Sequence, residues 1–396
     1  MQISDLISRI QASKTIQVKE KALALKAAGK EVIDLTAGEP DFQTPQHIKE
    51  AGIKAIKDGF TKYTENAGIP SLRQKIAQKL KNDNQLEYSP EQIIVSNGAK
   101  QCILNALMAI MNNGDEVLMQ SPYWVSYPEQ AVIAGGKAVV IETRQSDWKI
   151  IPEELNKKIS PKTRVIIFNS PSNPTGIVYS RKELKDLAEV LQDKDIWIIS
   201  DEIYEKIIFD GKKHYSIAAF DKLIDKCIVI NGFSKSYSMT GWRLGYAAGP
   251  AAIIKAMSKI QSHYTSNASS ISQKAAEAAL TGPEDEIKQM AKVFEQRRNY
   301  IKSRLDSKAY FDYILPQGAF YFFIDISTIF GKQVGTQVIN NSVDFSAFVT
   351  ENYHLVTVPG VAFGADNFIR ISFAASQEQL ESGMDRLIKA MDDLVD

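Results

Sequence analysis

Four short stretches of this sequence place chemically useful side chains directly after apolar runs. In an open parallel sheet, that is where ligands bind. Cys-Ile-Val-Ile-Asn (227–231) leads into Gly-Phe-Ser-Lys-Ser-Tyr-Ser-Met-Thr-Gly-Trp-Arg (232–243). Lys235, just past a buried strand and among hydroxyls and aromatics, sits where lost hydration can lower an amine's pKa and make it a nucleophile toward a carbonyl. A lone loop lysine is ordinarily solvated, so its companions matter. Ile-Trp-Ile-Ile-Ser (196–200) ends in Asp201-Glu202-Ile203-Tyr204. Asp201 there is either a partner for a cationic ligand or the N-cap of a following helix, and capping is the commoner role of that local pattern. Arg-Val-Ile-Ile-Phe-Asn (164–169) leads into Ser-Pro-Ser-Asn-Pro-Thr-Gly (170–176), where Pro171 and Pro174 fix the backbone and present Asn173 from a rigid turn. Gln-Ile-Ile-Val-Ser (92–96) runs into Asn97-Gly98-Ala99-Lys100 and a helix, which offers a phosphate free backbone N–H groups and a positive helix end. No Walker or dinucleotide glycine pattern accompanies it, so a tight turn with a solvated lysine reads equally well.

These stretches need a scaffold, and the pattern between about 92 and 250 supplies one. Six short β-branched runs alternate with helical stretches near 100–111, 125–134, 152–159 and 181–191. Such alternation predicts a mostly parallel sheet covered by helices on both faces. Upstream, 16–28 reads as an arm helix, Thr44-Pro45 as the N-cap and N1 of a helix ending near Gly59, and Pro70 as the start of another reaching about Asn82. After about 283 the order changes to a long charged helix (284–306), the run Gly-Ala-Phe-Tyr-Phe-Phe-Ile-Asp-Ile, a helix near 343–352, the strands Leu-Val-Thr-Val and Phe-Ile-Arg-Ile-Ser-Phe, and a last helix from 377. This predicts an α/β chain in three parts: 1–45 as an arm and part of a small domain, 46–283 as a large domain, and 284–396 as a smaller α+β domain.

Composition bounds the function. A length of 396 residues with 44% hydrophobic and 24% charged side chains fits a large globular protein and argues against disorder. Forty-seven basic residues face forty-seven acidic ones, so no net field draws the chain to nucleic acid. Cys102 and Cys227 lie in apolar runs, which suits buried reduced thiols and a cytoplasmic setting. Neither a secretory leader nor a spanning segment is expected. His47, His214, His263 and His354 show no metal-ligand spacing, so no metal and no role is assigned to them.

Taken together, the motifs resemble the class I aminotransferases of the aspartate aminotransferase superfamily, fold type I of the pyridoxal-phosphate (PLP) enzymes. The likeness covers nearly the whole chain. It is carried by Thr-Ala-Gly-Glu-Pro-Asp-Phe (36–42), Lys-Tyr-Thr (62–64), Ser-Pro-Tyr-Trp-Val-Ser-Tyr-Pro (121–128), Asn-Pro-Thr-Gly (173–176), Asp-Glu-Ile-Tyr (201–204), the 234–243 stretch, Gly-Ala-Phe-Tyr (318–321) and Arg-Ile-Ser-Phe (370–373). The resemblance implies a mostly parallel seven-stranded sheet in the large domain. It implies that Lys235 attaches to the PLP aldehyde and serves as the base in a ping-pong transamination. Asp201 then faces the pyridine nitrogen, Asn173 and Tyr204 face the phenolic oxygen, and Trp124 stacks on the ring. Gly98, Ala99 and Arg243 match the phosphate site, with Lys100 and Ser234 also counted among the cofactor's neighbours. Tyr63 matches a residue that reaches the phosphate of a neighbouring subunit, so a homodimer with shared sites is expected. Arg370 matches the clamp for the substrate α-carboxylate, helped by the Gly38 backbone.

Within the family the sequence is most similar to the 1β type, where a lysine at the position of Lys100 meets the distal carboxylate of a dicarboxylic substrate. Thr15 matches a residue associated there with accepting prephenate. The implied reaction is transfer of the amino group of L-aspartate to 2-oxoglutarate, with prephenate as a second acceptor. Transamination of an aromatic amino acid or alanine, or β-elimination of the C–S lyase kind on the same fold, are the alternatives. A DNA-binding regulator or a nicotinamide dehydrogenase lacks its signature here.

Overall fold

The computed structural model describes residues 3–10, 16–220, 222–335 and 337–395. Seven strands form the large sheet, in the order Ile93–Ser96, Gly245–Ala248, Cys227–Gly232, Trp197–Asp201, Thr163–Asn169, Glu116–Ser121 and Lys137–Glu142. All pairings are parallel except those of Gly245–Ala248, which runs antiparallel to both neighbours. The strands Ile93–Ser96 and Cys227–Gly232 are buried along their whole length, as the runs Ile-Ile-Val and Cys-Ile-Val-Ile require when helices cover both faces.

On one of those faces, helix Ala99–Ile110 packs Cys102, Ile103, Ala106 and Leu107, all fully buried, into an apolar cluster with Ile94, Val117 and Ala247. Each large side chain contributes roughly 1.5–3 kcal/mol of burial free energy. That packing holds the N-terminal end of the helix at the carboxyl edge of the sheet. Gly245 makes the close approach possible, because a Cβ there would lie 2.4 Å from the backbone nitrogen of Ala99.

A second, antiparallel sheet orders Val358–Pro359, Phe368–Ser372, Tyr321–Asp325 and Asp312–Ile314. Its core joins Phe320, Phe322, Ile369 and Ile371 to the helices Asp285–Asp306, Ser342–Tyr353 and Gln377–Val395. The segment Leu-Val-Thr-Val, read from sequence as one strand, divides. Leu355–Val356 pairs in parallel with Ile33–Asp34, and Val358–Pro359 joins the antiparallel sheet. The N-terminal segment is thereby tied to the C-terminal third of the chain.

Two local readings need correction. Thr44 caps no helix: helix Gln46–Lys57 starts after Pro45 without a side-chain cap, and the Thr44 hydroxyl instead donates to the Ser238 carbonyl at 2.6 Å. No helix follows Asp201 either, because residues 203–206 form turns. Cys102 and Cys227 are free and buried. No helix among the described residues is long and apolar enough to cross a membrane.

Candidate active site

The carboxyl ends of the central strands open into a cavity of about 710 Å³, roofed by residues of the antiparallel sheet. One wall is an anion cradle. The strand Ile93–Ser96 turns through Gly98, whose φ of +89° is a conformation that favours glycine, into the helix that starts at Ala99. A Cβ at position 98 would come within 2.8 Å of an Arg243 guanidinium nitrogen. Arg243 is itself left-handed at φ +52°, with Nη1 donating to the Thr240 carbonyl at 3.0 Å and Nη2 to the Asn97 carbonyl at 3.3 Å. The guanidinium therefore lies over the free N–H groups of the helix end, with Ser234 also on the cavity wall. Helix dipole and cation together favour a multiply charged oxyanion.

Lys235 reaches the same cavity, where its Nζ donates to the Gly38 carbonyl. Burial lowers its pKa to about 8, with Arg243 and Arg370 adding to the shift and Glu39 and Asp201 opposing it. Asp201, 5% exposed, accepts the Tyr127 hydroxyl on Oδ2 at 2.6 Å and the Ile203 N–H on Oδ1 at 3.3 Å. Burial dominates there and raises its pKa to about 6, against those hydrogen bonds. Beside it the Tyr204 and Tyr321 hydroxyls lie 3.0 Å apart, and burial lifts both above the ordinary phenol range.

Arg370 enters from the strand Phe368–Ser372. Its guanidinium lies 4.2 Å from the Tyr321 ring centre, donates from Nη1 to Asn173 Oδ1 and from Nη2 to the Thr36 carbonyl, both at 3.0 Å, and leaves Nε buried without a hydrogen-bond partner. Asn173 is oriented by its own N–H, which donates to Asn169 Oδ1 at 2.8 Å. Among the described residues no carboxylate pairs with Arg370. A buried guanidinium facing a cavity without an acidic partner is built for an incoming anion. Arg370→Lys removes the planar fork while keeping the charge. It should lower kcat/KM roughly 10²-fold, mostly through KM, as steady-state rates over a substrate series would show.

The sequence-based site residues Gly38, Ala99, Lys100, Trp124, Asn173, Asp201, Tyr204, Ser234, Lys235, Arg243 and Arg370 all line this one cavity, with Gly98 forming the turn beneath it. Lys100 Nζ lies 4.9 Å from the Trp124 ring centre. Burial, then Arg243, lowers its pKa. Tyr63 is apart from the others, 88% exposed on the surface. Thr15 falls outside the described residues. Tyr127, Tyr321 and Thr36 also line the cavity, with no role assigned to them from sequence. Tyr127 follows Trp124 at i+3 inside a motif already quoted, so its position on the same side of the chain was a usable signal.

The family model for class I and II aminotransferases matches residues 30–387. The chain belongs to that family. A probable aspartate/prephenate aminotransferase of Rickettsia bellii is 50% identical, covering 98% of each chain. An aspartate aminotransferase of Geobacillus stearothermophilus is 45% identical, covering 99% of each. The crystal structure of the aspartate aminotransferase from Rhizobium meliloti superposes with a TM-score of 0.96 at 41% identity, covering all of both chains. An aminotransferase must anchor an amino acid by its carboxylate and move a proton at the α-carbon. In this aminotransferase an amine of depressed pKa and an acid-free buried guanidinium face one enclosed space.

Proposed function

We propose that this aminotransferase moves the amino group of L-aspartate to 2-oxoglutarate, yielding oxaloacetate and L-glutamate, with PLP as cofactor and prephenate as a further amino acceptor. The observation that carries the reading is the meeting of Lys235, buried Asp201 and buried Arg370 at one cavity with an anion cradle as one wall.

The residues fit PLP. Gly98 leaves a gap that a Cβ would fill beside Arg243, suited to a phosphate. Asp201, pushed up to about 6 by burial, gains from a cationic ring nitrogen what it lacks alone. When bound, PLP supplies an aldehyde that takes up amino groups and a ring that delocalises the electron pair left as the α-proton departs. Lys235 Nζ, unprotonated in appreciable fraction near neutral pH, takes that proton and returns it. Arg370 holds the α-carboxylate, and Trp124 with Asn173 confines the plane of the reacting groups. Because Arg370 belongs to the antiparallel sheet and Lys235 follows a strand of the parallel one, a substrate held by Arg370 at its α-carboxylate with its α-carbon at Lys235 draws 284–396 toward 46–283 and excludes water. We take 1–45 to move with the smaller part, to which Ile33–Asp34 is paired.

Aspartate and 2-oxoglutarate carry a second carboxylate, and Lys100, at the mouth beside Trp124, is the cation placed to meet it. The prephenate part rests on Thr15 and on the names of the relatives. Exposed Tyr63 is the residue we assign to the phosphate of a partner subunit in a homodimer. With reduced thiols at Cys102 and Cys227, the setting is the cytoplasm. A donor screen against 2-oxoglutarate, oxaloacetate and prephenate tests the reading. Lys100→Ala should cut kcat/KM for aspartate by about 10²-fold and leave alanine and phenylalanine within about threefold. Equal losses across the three donors would refute the Lys100 assignment, and ammonia in place of a new amino acid would indicate a lyase.

A further inference from the structure

The turn carrying Asp201 and Tyr204 is held from its other side by a buried polar cluster. Side chains alternate along a strand, so Ser200 projects away from the face that Asp201 presents, and Glu202, just past the strand end, is hydrogen-bonded to Ser200. Glu202 is 1% exposed. Its Oε1 accepts the hydroxyls of Ser200 at 2.7 Å and Ser216 at 2.5 Å, and its Oε2 lies 2.7 Å from His214 Nε2. Residues 202–206 have no helical ladder to hold them. Their backbone bonds are those of Glu202 N–H to the Ile230 carbonyl, Glu205 N–H to the Glu202 carbonyl and Ile207 N–H to the Tyr204 carbonyl.

We propose that Glu202 and His214 are positioning residues for the cofactor site, a buried pair that clamps the 201–204 turn and so fixes where Asp201 and Tyr204 present their oxygens. This rests on the assignment of Asp201 and Tyr204 to the cofactor. Stability alone does not account for the pair, since apolar side chains of similar volume serve a core as well or better. Three donors converging on one carboxylate do fix a turn in one geometry. His214 is faced by Glu202, Glu205 and Lys79. Burial alone would lower its pKa, yet Glu202 and then Glu205 leave it raised, which favours the imidazolium. Glu202 is faced in addition by Asp201, Tyr88, Tyr246 and Cys227. Ligand atoms of Glu202, Glu205 and His214 lie within 4.8 Å of one another, but Lys79 Nζ and Asn84 Nδ2 already occupy the two Glu205 oxygens. Glu205 is thus already paired with an internal ammonium.

The test uses full-length Glu202→Leu, Glu202→Gln and His214→Gln proteins, with PLP as the probe. The readouts are the Kd of PLP for the apoprotein and the apparent pKa of the bound cofactor's visible band at 25 °C, beside the melting temperature. Glu202→Leu should weaken PLP binding about tenfold and move the band's pKa by about one unit. Glu202→Gln still accepts both serine hydroxyls and should restore most of both. A lower melting temperature with wild-type Kd and band titration in Glu202→Leu, or in His214→Gln if the leucine variant fails to fold, overturns the clamp. An unsubstituted protein that develops no visible band with PLP overturns the cofactor reading itself, and the clamp with it.

Discussion

Lys235→Ala is expected to lower the rate of transamination by at least about 10⁴-fold, the upper range for one group that moves a proton in the transition state. Burial takes the ammonium of Lys235 out of water and depresses its pKa to about 8. At pH 8 about half of such amines are free, against roughly 0.3% at an ordinary lysine pKa. A guanidinium in its place keeps the charge near Gly38 but never releases its proton, so Lys235→Arg should be as inactive as the alanine variant. The same pKa sets a pH dependence. The amine is a nucleophile only when unprotonated, so the rate at which apoprotein takes up PLP should rise with pH and level off above about 8. Stopped-flow absorbance would follow that rate, and borohydride reduction should label the peptide containing Lys235. A flat profile between pH 6 and 9 would contradict the assignment.

Much of this geometry was legible because parallel strands buried on both faces must be written as continuous apolar runs, and six of the seven strands are. The seventh, Gly245–Ala248, escaped because its sequence, Gly-Tyr-Ala-Ala, lacks β-branched residues. Its small side chains serve the close approach to Ala99 rather than strand propensity. The positions of Asn173, Lys235 and Asp201 followed from their places after strands. Their partners did not, because Tyr127, Thr36 and Tyr321 reach Asp201 and Arg370 across long sequence separations. Asp201 shows the limit of local rules most clearly. By pattern it is a helix cap, but its side chain is taken by Tyr127 from 74 residues away, and the chain beyond it turns instead of coiling. The histidines show the converse. Judged by metal spacing, His214 has no role, whereas the fold places it 2.7 Å from the residue that follows Asp201.

Asp201→Asn should separate activity from stability in opposite directions. On the proposed assignment, Asp201 would keep a proton on the ring nitrogen of the bound cofactor through a charge-assisted hydrogen bond. Asparagine keeps the shape, with Oδ1 accepting the Ile203 N–H and Nδ2 donating to the Tyr127 hydroxyl oxygen, but it withdraws the charge. Removing one member of a buried charge pair costs about 3–5 kcal/mol, or roughly 10²–10⁴-fold in kcat. Apoprotein stability has the other sign. The folded carboxyl is raised from 3.8 to about 6, so between those pH values the native state binds more protons than the unfolded state, and stability falls as pH rises. Above pH 6 the penalty is fully present, on the order of 3 kcal/mol for this buried group. Asp201→Asn apoprotein at pH 7 should therefore melt a few degrees higher than wild type, and at pH 4 the two should converge. Calorimetry of apoprotein at the two pH values, beside kcat of the loaded enzyme, measures both. A variant that lost activity and also melted lower at pH 7 would show that Asp201 acts through the packing of its turn and not through its charge.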